Sequence, residues 1–206
     1  MIREYTFSWP VRRFALLGLA GVAVFGAAII ALHLTGSGVD WTSDYVSDLA
    51  NQPFGWLFMV GAFVHGWGNL ALTLALRGAL RPGPLRTWAV LLFGLAVAGI
   101  LVAALFPIEA PGQAPNVPGQ IHRGAASLAF ALELAALFVF SAAFRRQLDW
   151  RRQRAASLAL SVIAATAVTA FVIAIQLDIA PGLAERVALV VFLVWEVWAC
   201  VQIIRS

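Results

Sequence analysis

The chain has almost none of the residues that make a soluble surface. Only 12% of its 206 residues are charged, against 62% hydrophobic, and it contains no lysine. With a mean hydropathy of +0.88, a soluble core is excluded and a polytopic membrane protein is described. One cysteine, Cys200, excludes an intrachain disulfide. A lone buried thiol without a resolving partner reads as a small packing residue. The hydrophobic runs contain no proline, which lowers the case for the broken helices that many carriers use to hold their cargo. The formal charge of +4 could suggest nucleic acid, but no aromatic or glycine-rich recognition box accompanies the arginines, so nucleic-acid binding is not expected.

What is present is six long apolar runs: 14–34, 54–76, 87–106, 121–144, 155–177 and 187–204. Each is about the length that crosses a bilayer, so the expectation is an all-α, six-helix transmembrane bundle forming one domain over 1–206. The first run follows Arg12 and Arg13 but is too long for a typical signal-peptide core, and it is read as a retained helix. Arginines collect before the first run, between the second and third, between the fourth and fifth, and at the end. The positive-inside rule then puts both termini in the cytoplasm of a multi-pass protein of the plasma membrane. The opposite face carries Arg123 and Arg186 together with Asp40, Asp44, Asp48, Glu109, Asp178 and Glu185.

Function is expected to concentrate on that outer face. In the first outer loop, Trp41, Tyr45 and Leu49 repeat at helical spacing on one stripe, and Asp40, Ser43, Asp44, Ser47 and Asp48 on another. This predicts an interfacial helix closed by Pro53. Its polar stripe either faces water or pairs with His122, Arg123 or Arg186. The second outer loop, 106–120, is rich in proline and predicts a stiff, non-helical cover. It places Glu109 and His122 at its two ends, as candidates for an ion pair or a shared metal ion, although an interfacial histidine is often a capping residue.

His65, Glu133 and Glu196 sit in the middle of their runs. Counting ~1.5 Å per residue puts them roughly 16 to 18 Å deep in a ~30 Å hydrocarbon core. Ionisable groups at that depth cost several kcal/mol unless paired or hydrated, and mark functional sites by default. His65 shares a helical face with Gly61, Gly68 and Asn69, and Glu133 lies on a strip with Ala126, Ala129 and Ala136. Both faces are expected to point inward. Glu196 stands between Trp195 and Trp198, which are expected to wall it. The set is either an interhelical hydrogen-bond lock or a binding and relay site.

The stretch Ser-Asp-Tyr-Val-Ser-Asp-Leu-Ala at 43–50, Phe-Pro-Ile-Glu with the following Gly-Gln-Ile-His between 106 and 122, and Gly-Leu-Ala-Glu-Arg at 182–186 resemble DUF998. That family comprises six-helix bacterial and archaeal membrane proteins and carries no established activity. The resemblance spans nearly the whole chain. It implies that Ser47, Asp48, Glu109, His122, Glu185 and Arg186 belong to one recurring outer constellation. The family pattern favours aspartate where this chain has Glu109.

Three functions fit. A protein that binds or processes a lipid or other amphipathic ligand would use His122 as general base or metal ligand. Asp48, Glu109 or Glu185 would orient it, and Ser47 would be a candidate nucleophile. A proton-coupled carrier would use His65, Asn69, Glu133 and Glu196. An accessory subunit would offer small-residue strips to partner subunits, such as Ala23 with Ala27 and Gly94 with Ala98. Membrane lipids are the expected surroundings. No cofactor is named by the pattern: zinc or calcium at the outer rim stays open, and haem fits poorly because His65 is deep while His33 and His122 are shallow.

Overall fold

Each apolar run folds as one α-helix in the computed structural model, which describes residues 9–35, 38–110, 112–145, 147 and 150–205. The helices are α1 (Trp9–Leu34), α2 (Trp56–Ala79), α3 (Pro84–Leu105), α4 (Val117–Phe144), α5 (Arg154–Leu177) and α6 (Pro181–Arg205). A 3-10 helix, Val46–Asn51, lies between α1 and α2. All six α-helices are long and apolar enough to cross a membrane, and the described residues include no strand. The chain is a multi-pass membrane protein. Its outward faces agree: on α5, Val162, Ile163, Val172 and Ile173 are each 51% exposed, an apolar surface that only lipid solvates without penalty.

Helices α1, α3, α4 and α6 begin three or more residues earlier than hydropathy places them, and for the last three proline is the reason. Pro84, Pro118 and Pro181 lie in the first turns of α3, α4 and α6. Proline has no N–H to lose there, and its fixed φ already suits a helix. Asn116 completes the start of α4 by accepting a hydrogen bond from the Gly119 N–H at 2.7 Å, an ordinary N-cap. The stiff outer cover therefore ends at Asn116 and not at Gln120. Glu185 and Arg186, read as loop residues, sit on α6.

The first outer loop also differs from its periodicity. Residues 46–51 form a 3-10 helix in place of an amphipathic α-helix. Upstream, Asp40 Oδ1 accepts from the Thr42 N–H at 2.8 Å and the Thr42 hydroxyl at 2.6 Å, an Asx-type turn that competes with helix. The aromatic stripe is dispersed. Leu49 is fully buried and Trp41 is exposed, while Tyr45 meets Phe171 of α5 edge to face at 6.3 Å.

The helices pack in chain order from α1 to α6, α6 returns to α1, and α2 touches α6 across the interior. The small stripe of α2 is where α1 seats. A Cβ on Gly68 would lie 2.9 Å from the Gly21 Cα, and one on Gly61 would lie 2.9 Å from the Ala28 Cβ. Such contact lets two backbones approach closely. One turn away from this crossing, Phe25 stacks on the His65 ring at 4.9 Å.

Burial divides the bundle across its length. Toward the end carrying the chain termini, Phe93, Phe140, Phe144, Trp150, Trp195 and Trp198 form one aromatic body. Ser157 threads it, accepting from Trp195 Nε1 at 3.1 Å and lying 2.7 Å from the Ser141 hydroxyl. Toward the end carrying the 40–53 loop, a smaller cluster of Phe25, Leu32, Val46, Leu49, Phe58 and Ala62 leaves space between the helices.

Candidate functional site

That space is a cavity of about 110 Å³, running from Ser47 and His122 at the outer loops to His65, Glu133 and Glu196 in mid-helix. The volume is several times the roughly 10–15 Å³ that admits one water. At its floor, three helices meet through polar side chains. His65 Nε2 lies 2.8 Å from Glu196 Oε2 and 3.2 Å from Asn69 Nδ2, and Asn69 Nδ2 donates to Glu196 Oε1 at 2.5 Å. Glu196 is fully buried and Glu133 is 5% exposed. Both carboxyls line the cavity, and Glu133 Oε1 is buried without a hydrogen-bond partner. Trp195 and Trp198 do not wall Glu196 as its flanking positions suggest. They turn into the aromatic body on the other side, and the cavity walls are Phe25, Phe58, Phe130 and Phe192.

A second hollow of about 410 Å³ lies beside the first, along α4 and α5, lined by Val168, Phe171, Val172 and Ile175. Tyr45 and Arg123 also line it. The two spaces share five residues: Ser47, His122, Ala126, Phe130 and Glu185. His122 Nδ1 lies 2.9 Å from the carbonyls of both Ala103 and Phe106. Carbonyls only accept, so Nδ1 carries a proton, and Nε2 is the nitrogen left for chemistry. Glu185 Oε2 accepts from the Val46 N–H at 2.6 Å, which ties α6 to the 3-10 helix carrying Ser47.

The remaining outer residues hold the scaffold. Asp48 Oδ2 accepts from the Tyr45 N–H at 2.8 Å and lines neither hollow. Burial pushes its carboxyl above the usual aspartate range, opposed by that N–H. Glu109 pairs with Arg123, not with His122. Its own backbone N–H and the Arg123 guanidinium hold its carboxyl below the usual range. The Glu109 carboxyl also covers Gly119, where a Cβ would collide with it. Arg186 donates to the carbonyls of Asp44 at 2.6 Å and Gly182 at 2.9 Å. It reaches His33 Nε2 at 3.2 Å. His33 Nδ1 is 2.8 Å from the Ile29 carbonyl, so its proton is there and Nε2 accepts. The Leu183 N–H donates to the Thr42 carbonyl, and Gly182 has no room for a Cβ against Asp44. Residues 182–186 and 42–46 are thus one docked unit.

Ten residues singled out by sequence therefore divide three ways. Ser47, His122 and Glu185 stand where the two hollows join. His65, Glu133 and Glu196 line the floor, with Asn69 behind them. Asp48, Glu109 and Arg186 brace the loops. Ala126, on the strip of Glu133 expected to point inward, lines the shared wall, and sequence reasoning missed only Phe130 there. Its only signal is helical spacing from Glu133. His33, considered for a metal, instead receives Arg186. Among the described residues no cluster of three or more His, Cys, Asp or Glu side chains is spaced to hold a metal ion.

The sequence model of the family described as "Protein of unknown function (DUF998)" matches residues 19–202, so the chain belongs to that family. No curated protein and no solved structure matches it.

Proposed function

We propose that this DUF998 protein takes up an amphipathic, lipid-like ligand. Its chain would occupy the hollow along α4 and α5, and its polar end would reach Ser47, His122 and Glu185. The observation that carries the reading is the wall shared by an apolar hollow and a polar-floored one. Ligand sites of this kind are mostly apolar, with a few placed polar groups. With both termini in the cytoplasm, the orientation the arginine distribution favours, the opening would face the outer leaflet of the plasma membrane. If the ligand is processed, His122 Nε2 would be the general base and Ser47, which lines the same two hollows, the candidate nucleophile.

The test is native mass spectrometry of protein purified gently from its own membrane, with Ala126→Phe alongside to fill the shared wall. Retained lipid in the wild type, lost in the variant at similar melting temperature, is expected. Equal lipid in both sinks the reading. Stoichiometric partner subunits without lipid would favour an accessory role.

A proton-coupled carrier is the second reading, favoured by the contiguity of the His65–Glu196 pair with the outer cavity. It requires the aromatic half to open. Proton flux in liposomes, abolished by Glu196→Gln, is its measurement.

A further inference from the structure

We infer that the inner cavity receives a cationic nitrogen, a protonated amine, as the polar end of the ligand. This rests on the proposed amphipathic ligand, carries its polar end past Ser47, His122 and Glu185 to the cavity floor, and specifies its chemistry. Three carboxyls line the cavity, those of Glu133, Glu185 and Glu196, while the basic side chains lining it are His65 and His122, with no arginine. Glu196 already receives His65 and Asn69, and Glu185 receives the Val46 N–H. His122 is turned to the Ala103 and Phe106 carbonyls, and the nearest guanidinium on α6, Arg186, is spent on loop carbonyls. Glu133 is left. It is 95% buried by its 5% exposure, and its Oε1 has no partner.

A buried acceptor without a donor is costly, more so if charged, so its persistence points to something that donates to it. An ammonium supplies N–H donors together with the missing positive charge. The surrounding rings suit the same cargo. Phe25, Phe58, Phe130 and Phe192 line the space, and aromatic faces attract cations, more strongly when water is excluded. A sulfate or phosphate in this position would meet the carboxyls of Glu133 and Glu196. A neutral alcohol could donate one hydrogen bond to Glu133 but would bring no positive charge to two neighbouring carboxyls.

The experiment uses the full chain in phosphatidylglycerol nanodiscs, which contain no amine. Saturable binding of radiolabelled decylamine is competed with decanol and decyl sulfate, in wild type and Glu133→Gln. The expected result is saturable decylamine binding, at least tenfold stronger than decanol and not displaced by decyl sulfate. Glu133→Gln should lower decylamine affinity at least tenfold and leave decanol unchanged. Equal potency of decylamine and decanol in the wild type, which needs no variant, overturns the ammonium assignment and leaves the amphipathic reading standing. Saturable binding by none of the three compounds overturns both.

Discussion

The two ends of this bundle are made of similar residues and packed differently. Near the termini, six aromatic rings interlock and even the serine hydroxyls are paired. Near the 40–53 loop, phenylalanines stand around open space whose floor carries two buried glutamates. A bundle that needed only to persist in a membrane would fill both ends, since voids forfeit dispersion contacts. The hollow end is braced from outside instead, by Arg186 on the Asp44 and Gly182 carbonyls and by Glu109 on Arg123. That division assigns stability to one end and ligand chemistry to the other.

Truncation should expose the difference most strongly. Trp195→Ala removes a fully buried ring and its hydrogen bond to the Ser157 hydroxyl, and is expected to cost about 3–5 kcal/mol. Phe130→Ala, at the wall of an existing hollow, should cost less than half as much. Unfolding in mixed micelles compares them, and equal losses would erase the distinction. Filling gives the next effect. Ala136→Leu at a fully buried position should destabilise by about 1–3 kcal/mol through overpacking, whereas Ala126→Leu, pointing into both hollows, should be tolerated.

The smallest effect is a pH dependence confined to the bracing. Burial raises the Asp48 carboxyl above its unfolded value. The folded state therefore holds the proton longer, and stability falls as pH rises from the ordinary aspartate range to the raised one. Asp48→Asn, which can keep the bond to the Tyr45 N–H, should flatten the melting temperature across that window. A profile unchanged from wild type would remove Asp48 from the account.

Much of this was legible in sequence. Hydropathy gave six helices because lipid demands continuous apolar length, and the mid-run positions of His65, Glu133 and Glu196 marked residues that do meet. Spacing along one helix cannot show which partner lies across from it. Hence Glu109 was matched with His122 when Arg123, one residue further on, is its partner. Hence also Trp195 and Trp198 were set beside Glu196, although adjacent helical positions point about 100° apart. The 40–53 loop misled for another reason: its helical period is overridden by the Asp40 turn and by docking onto 182–186. Proline ended the predicted runs where it in fact begins the helices.

The central claim is that the hollow end holds an amphipathic chain. Crystals grown in a mesophase doped with lipid brominated along its acyl chains test it most directly, through the anomalous signal of bromine. The account predicts bromine between α4 and α5, beside Val168 and Phe171. Bromine confined to the outer surface of the bundle, with the hollow empty, would contradict it.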